Sequence, residues 1–280
     1  MATNSSVPSA SADSPLVGKV AFITGAGSGL GAAFARRLAA DGATVVVNDI
    51  DAAAAASVAI ELAGDTAVFD VTDPVAFDTE VDKAFERHGR LDILINNAGI
   101  APPPDPARTQ LAFTNQMARM EGRLDDLVPP DSTLGLSDEA FDRMIRIHLH
   151  GTFYGMRAAL RHMTPARSGS IVNISSVLGL RPVAGAVHYA AAKAGIIALT
   201  KSTGQEMAPF GVRINAVCPG WIDTPLLAPM DPMMRAGIVM GIPRGRLGTA
   251  DEIAELVRFL AGPESSYCNG DVFAASGGFV

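Results

Sequence analysis

Val20-Ala-Phe-Ile-Thr-Gly-Ala-Gly-Ser-Gly-Leu-Gly31 decides the fold. Val20 to Ile23 is a short apolar run that reads as a buried strand. Glycines at 25, 27, 29 and 31 follow it, and a helical stretch then runs from Leu30 to about Ala40, where Gly42 stops it. Glycines let the backbone turn sharply and approach a pyrophosphate, while the helix N-terminus offers free N–H groups and a positive dipole end. A glycine-rich turn alone would serve tight packing equally well. Here an acid, Asp49, ends the second strand in Val47-Asn-Asp-Ile50. Strand, glycine turn, helix, strand and acid together point to a dinucleotide site.

The alternation continues outward. Further strands are expected at 44–47, 66–69, 91–95, 170–174, 212–217 and 271–274, with helices between them. These strands are apolar on both faces, which implies a parallel sheet covered on both sides by helices. The expected architecture is a single-domain α/β Rossmann-type fold, doubly wound, with about seven strands. The domain spans 16–280. Residues 101–136 break the rhythm with Pro102 to Pro104, Pro106 and Pro129-Pro130; a helix over roughly 110–127 is expected there.

Composition narrows the function. The 280 residues carry 22 basic and 29 acidic side chains, a net charge of −7, and no basic run. That argues against nonspecific binding to nucleic acid or an anionic membrane. The apolar runs are too short to span a bilayer. Residues 1–15 lack the basic and apolar regions of a signal peptide and read as a disordered tail. Cys218 and Cys268 show no metal-ligand spacing, so no metal is expected, and free thiols in a reducing cytoplasm are.

Two features bear on chemistry. A carboxylate at Asp49 accepts hydrogen bonds from an adenosine ribose 2′-hydroxyl and repels a 2′-phosphate, and no base stands at Ser28 or just after Asp49. NAD is therefore the expected cofactor, unless Asp49 only caps the next helix, a task Asp51 can also perform. Asp70, at the end of the third strand, either accepts from the adenine amino group or sits in a solvated turn. The second feature is Tyr189 and Lys193, four residues apart on one helix face. A phenol ordinarily titrates near about 10, and an adjacent cation lowers that value. The pair is an acid/base device if something nearby accepts a hydride, and a solvated helix face otherwise.

Thr24-Gly-x-x-x-Gly-x-Gly31, Asn96-Asn-Ala-Gly99, Ser176, Tyr189-x-x-x-Lys193 and Pro219-Gly-Trp-Ile-Asp-Thr224 occur in order. Together they resemble the compact, single-domain branch of the short-chain dehydrogenase/reductase family. The resemblance covers the chain from Lys19 onward except 101–136. It implies that Tyr189 is the general acid or base, that Lys193 lowers its pKa and holds the nicotinamide ribose, and that Ser176, rather than Ser175, binds the substrate oxygen. It further implies cofactor contacts from Gly25, Ser28, Gly29, Leu30, Gly31, Asp70, Val71, Asn97, Ala98, Gly99, Pro219, Gly220, Ile222 and Thr224. The final Ser-Gly-Gly-Phe-Val280 is similar to the family's last strand and tail, often part of a tetramer interface.

One position departs from the pattern. The family usually has Asn-Leu-x-Gly where this chain has His148-Leu-His-Gly151. His148 falls where that Asn holds a water in a proton path from the lysine; an imidazole near pKa 6.5 can also relay protons. Its alternative is to pack and bond a neighbouring carbonyl. Trp221, Leu226, Leu227, Met230, Met233, Met234, Ile238, Met240 and Ile242 crowd the loop after the Pro-Gly turn, as a lid over an apolar substrate, as core, or as a subunit contact. The 101–136 segment forms either a second wall of the pocket or an oligomer contact. The expectation is an NAD-dependent oxidoreductase acting on a secondary alcohol or ketone, with a bulky, steroid- or terpenoid-like body. An NADPH-dependent 3-ketoacyl thioester reductase and a non-catalytic NAD(H)-binding regulator are the alternatives.

Overall fold

The computed structural model describes residues 14–102, 105–228 and 230–280, with the side chain of Met233 also outside the described part. Seven parallel strands form one sheet in the order β3-β2-β1-β4-β5-β6-β7. They are β1 (Val20–Ile23), β2 (Thr44–Asp49), β3 (Asp65–Val68), β4 (Ile93–Asn96), β5 (Gly169–Ile174), β6 (Val212–Pro219) and β7 (Val272–Ala275). The helices are α1 (Gly29–Ala40), α2 (Ala52–Leu62), α3 (Pro74–His88), α4 (Pro106–Met120), α5 (Asp131–Leu134) and α6 (Asp138–Ile145). They continue as α7 (Gly151–Ala166), α8 (Val177–Leu180), α9 (Val187–Met207), α10 (Pro232–Met240) and α11 (Ala250–Ala261).

Side-chain alternation along β1 shows how two layers of helix are recruited. Ala21 and Ile23 face a core shared with Phe34 and Leu38 of α1 and with Val257 and Leu260 of α11. Val20 and Phe22 face the other core, with Phe77 and Val81 of α3 and Met156 and Met163 of α7. This is the doubly wound Rossmann-type arrangement expected from strands that are apolar on both faces.

Local chemistry sets the ends of the elements. Asp51 caps α2 by accepting from the Ala53 and Ala54 N–H groups, and Asp73 does the same for α3, whose first residue is Pro74. Asp49 is thus free of the capping task. Thr249 and Glu252 close a reciprocal capping box at α11. Strand β4 begins at Ile93, later than the apolar run suggests. Asp92 is the reason: its carboxylate accepts from the Val20 N–H at 3.0 Å and from Lys19 Nζ at 3.1 Å.

Within 101–136 the helix lies earlier than expected. Asp105 caps it and Pro106 opens it, both before residue 110; Gly122, at φ +73°, follows its end. Asn115 then binds the returning chain twice, donating to the Val128 carbonyl at 2.7 Å and accepting from its N–H at 3.0 Å. Of the tail expected over 1–15, residues up to Asp13 lie outside the described residues, as do Pro103 and Pro104. Ser14 and Pro15 belong instead to a turn closed from the Val17 N–H to the Ser14 carbonyl, beside the buried Leu16. Among the described residues, no helix is long and apolar enough to cross a membrane, and no three His, Cys, Asp or Glu side chains are grouped to hold a metal ion.

Candidate active site

The glycine loop after β1 is built without room for side chains. A Cβ on Gly31 would stand 2.2 Å from the Gly25 carbonyl oxygen and 2.6 Å from Asn97 Nδ2. Gly25 and Gly29 have φ of +61° and +54°, open only to residues without a Cβ penalty. Asn97 holds the loop from the end of β4 by donating to the Thr24 and Gly25 carbonyls, each at 3.0 Å. Thr24 Oγ1 in return accepts from the Asn97 and Ala98 N–H groups at 3.0 Å. Ser28 stands at the N-cap of α1 but spends no side-chain hydrogen bond on it. The opening turn of α1, with Leu30 and Gly31, is left for an anion.

Asp49 reaches this loop from β2. Its Oδ2 accepts from the Gly27 N–H at 3.0 Å and its Oδ1 from the Asp51 N–H at 3.1 Å, leaving further lone pairs at the loop's rim. Asp70 is exposed and accepts from the Thr72 N–H at 2.9 Å, so one oxygen at least serves a turn. Val71 is buried, and Gly151 lies against it so closely that a Cβ there would be 3.1 Å from Val71 Cγ2. On the other side of the loop, Thr224 and Pro225 are the nearest neighbours of the Gly29 Cβ position, at 3.9 Å. Gly220 is tied by its N–H to the Ala275 carbonyl, and Ile222 is buried in a bridge to Gly248. Pro219 ends β6. Both groups of residues expected to contact a cofactor thus flank the glycine loop or end β6.

Tyr189 and Lys193 lie on α9, one turn apart. Lys193 is 4% exposed, its Nζ donates to the Ile174 carbonyl at 2.8 Å, and it lies 5.6 Å from the Tyr189 ring centroid. Burial pushes its pKa down to about 7. Tyr189 is raised from the usual phenol value, because desolvation outweighs a hydrogen bond from the Ser176 hydroxyl. The lowered phenol pKa expected beside Lys193 is therefore not the state of this structure, where burial of the phenol dominates.

Ser176 meets Tyr189 because α8 packs tightly on α9; a Cβ at Gly179 would come within 2.8 Å of the Lys193 backbone. Ser176 caps α8, accepting from the Leu178 N–H at 3.1 Å. Ser175 points elsewhere and donates to the Lys193 carbonyl at 2.7 Å.

His148 sits in a π-helical turn, Arg146–His150, between α6 and α7. It is 2% exposed, and its ring meets Tyr189 edge to face at 5.4 Å between centroids. Nε2 lies 2.9 Å from the Ile100 carbonyl oxygen and 3.1 Å from the Ile100 nitrogen; Nδ1 is buried without a partner. Burial, then the charges of Lys193 and His188, hold its pKa well below 6.5. Gly99 makes room for it, since a Cβ there would stand 2.4 Å from His148 Cε1. His150 is exposed and turned toward Tyr154.

Sequence reasoning passed over a polar network beneath these groups. Asn96 donates to Asn173 Oδ1 at 2.8 Å, and Asn173 to Thr200 Oγ1 at 3.0 Å, joining β4, β5 and α9. Asn48, fully buried, holds Gly25 and the Ala67 and Phe69 carbonyls. An Asn inside an otherwise apolar strand is the signal that marks both. The loop after Pro219 is divided: Ile222 and Ile242 are buried in the core, while Leu226, Met234 and Met240 are exposed. Arg235 of α10 pairs with Asp223 at 2.9 Å. A cavity of about 550 Å³ lined by these two residues with Arg246 and Glu252 contains none of the candidate residues.

A glycine-rich loop after the first strand, with a half-buried Tyr and a buried Lys and Ser on the same parallel-sheet fold, defines a dinucleotide-dependent oxidoreductase. Residues 19–235 match the family model described as short chain dehydrogenase, and the chain belongs to the short-chain dehydrogenase/reductase family, whose cofactor is a nicotinamide dinucleotide. It is 37% identical over 270 residues to the 3-oxoacyl-(acyl-carrier-protein) reductase FabG of Thermotoga maritima, covering 95% of this chain and 99% of that one. It is 39% identical over 266 residues to the cis-4-hydroxycyclohexanecarboxylate dehydrogenase of Sinomonas cyclohexanicum, covering 94% and 96%. Against FabG of Escherichia coli the identity is 36% over 263 residues, covering 93% and 97%.

Proposed function

We propose that the protein interconverts a secondary alcohol and a ketone with NAD(H), using Tyr189 as general acid and base. The observation that carries this is the convergence of Tyr189, Ser176 and Lys193 beside the glycine cradle. A dinucleotide is the ligand such a loop suits: Gly25 and Gly29 turn at positive φ, and no side-chain cap occupies the N–H groups that open α1. Gly25, Ser28, Gly29, Leu30, Gly31 and Thr224 would hold the pyrophosphate side, Asp49 and Asp70 the adenosine side, with Val71, Asn97, Ala98 and Gly99 closing over it. Lys193, Pro219, Gly220 and Ile222 would face the nicotinamide half. When bound, the nicotinamide supplies the hydride donor or acceptor.

In reduction, Ser176 donates a hydrogen bond to the substrate oxygen and Tyr189 delivers its proton to that oxygen as hydride arrives at the carbon. In oxidation, Tyr189 takes the hydroxyl proton and the carbon gives up its hydride. The raised pKa of Tyr189 keeps the acid form ready for reduction. Lys193, offered ribose hydroxyls to donate to, holds its proton more firmly, and its charge then favours the phenolate. His148 stays neutral, with one nitrogen occupied by Ile100, so its part is to hold a water at Nδ1 rather than to carry a proton as imidazolium.

Asp49 at the loop's rim supports NAD over NADP. The Sinomonas relative is named for a ring alcohol and the FabG relatives for a 3-oxoacyl group. These names draw the substrate toward a single ring or an acyl chain, away from a steroid- or terpenoid-like body. The exposed apolar side chains of α10 suit a lid over such a ring. The FabG relatives favour one second reading, reduction of a 3-ketoacyl thioester with NADPH. A homotetramer in the cytoplasm is the setting we infer, with exposed Phe141 and Phe153 available to subunit contacts.

The test is steady-state turnover of ring alcohols and a 3-ketoacyl thioester with NAD and NADP, for the wild type and Tyr189→Phe. Expected are higher kcat/KM with NAD and turnover lost in Tyr189→Phe while NAD binding persists. A strong NADP preference with thioester turnover supports the second reading. Absence of any turnover across the panel supports a nucleotide-sensing regulator.

A further inference from the structure

Asn48 is a polar exception on an apolar strand face. Side chains alternate along β2, so Asn48 points the same way as Val46, into the layer where Phe69, Val71 and Phe77 pack. It is 1% exposed. An aliphatic side chain there would extend the core at no polar cost, whereas a buried carboxamide costs free energy unless its groups are bonded.

The bonds it makes run in two directions. Nδ2 donates to the Ala67 carbonyl at 2.9 Å and to the Phe69 carbonyl at 3.2 Å. The β2–β3 ladder ends at the pair Asp49 and Val68, so Phe69 lies one residue beyond it. Asn48 thus holds the chain past the end of the strand, immediately before Asp70. Asp70 then forms the turn, its carboxylate accepting from the Thr72 N–H and its carbonyl from the Asp73 N–H, each at 2.9 Å. In the other direction, three consecutive N–H groups of the glycine loop are bonded to β2. Gly25 donates to Asn48 Oδ1 at 3.4 Å, Ala26 to the Asn48 carbonyl at 2.7 Å, and Gly27 to Asp49 Oδ2 at 3.0 Å. One carboxamide therefore ties the glycine loop to the turn that carries Asp70 and Val71.

We propose that Asn48 is a positioning residue for the adenosine half of the cofactor, fixing the glycine loop and the Asp70–Val71 turn relative to each other before the ligand arrives. A receptor ordered in advance loses less freedom on binding. Enclosed as it is, Asn48 acts through backbone groups and not by touching the ligand. Its side-chain bonds stay within the β1–β3 half of the sheet, so the nicotinamide half is independent of it. The inference rests on the NAD(H) reading above, and its test separates the two.

The experiment titrates the cofactor-free protein with ADP-ribose by calorimetry and with NADH by fluorescence. Asn48→Ala should raise Kd for both by the same factor, roughly ten- to a hundredfold as lost buried hydrogen bonds imply. The emission of bound NADH at saturation should match the wild type. Asn48→Ser, which keeps a small donor, should fall between, and it carries the comparison if the alanine variant does not stay folded. Asn215 of β6 is the control for general destabilisation. It is 0% exposed, donates to the Cys268 carbonyl at 2.9 Å and accepts from the Asp271 N–H at 3.1 Å, so it also ties a strand to the chain beyond it. Asn215→Ala should leave ADP-ribose affinity in place. Unchanged ADP-ribose affinity in both Asn48 variants overturns the proposal, as does an equal loss in Asn215→Ala or an altered emission of bound NADH. Tighter wild-type binding of 2′-phospho-ADP-ribose overturns the NAD reading alone; loss of that ligand in Asn48→Ala then supports the positioning role, and its retention overturns it.

Discussion

Replacing Lys193 with Met should stabilise the cofactor-free protein, and only on the acidic side of a definite pH window. Lys193 is wholly enclosed, and its ammonium is brought from 10.5 to about 7 by desolvation. At 1.36 kcal/mol per pH unit, the charged form therefore carries a cost of about 5 kcal/mol below pH 7. Met fills similar volume without charge, but it strands the Ile174 carbonyl that Lys193 now reaches at 2.8 Å, a loss of about 1–3 kcal/mol. The variant should gain about 2–4 kcal/mol at pH 6, which corresponds to roughly 4–10 °C in melting temperature. Between pH 7 and 10.5 the unfolded chain holds the Lys193 proton that the native state has released, so wild-type stability rises with pH. The advantage of Met should shrink by about 1.4 kcal/mol per pH unit over that window and vanish or reverse near about pH 8.5–10. Thermal or urea unfolding of both proteins from pH 6 to 10 is the assay. A difference independent of pH, or a variant less stable at pH 6, refutes the reasoning.

Two further substitutions test the rest of the site. His148→Asn should keep kcat within a few-fold, because an amide can still bond Ile100 and a water. His148→Ala should lower kcat by about tenfold or more and change the pH–rate profile; an unaltered rate and profile for Ala would remove the water-holding role. Gly31→Ala places a methyl group 2.2 Å from the Gly25 oxygen and should cost at least about 1–3 kcal/mol as overpacking. NAD affinity should fall with it, and a melt and a titration that both match the wild type would contradict the cradle.

What was legible in the sequence was local. The strand, glycine turn and helix from Val20 onward are set by neighbours in the chain, and they stand where the residues place them. The proline-rich segment displaced its helix from the expected bounds because the start depends on Asp105 and Pro106 rather than on apolar periodicity, and the end is followed by Gly122 at positive φ. The neutrality of His148 was illegible for the same reason: it follows from burial against Ile100, 48 residues earlier. Tyr189's raised pKa likewise depends on how deeply the surrounding chain encloses the phenol, which spacing does not encode.

Because the sheet order reverses between β1 and β4, the two halves of the cradle answer to different constraints. The β1–β3 half packs glycine against backbone with no slack, so it tolerates almost no change. The connection from β4 to β5 enters and leaves the sheet at fixed points yet runs through a long excursion between them. Residues can be gained, lost or exchanged in that excursion without altering a single strand register. Lineages of such a chain can thus diversify what they oxidise while inheriting an unaltered hydride carrier.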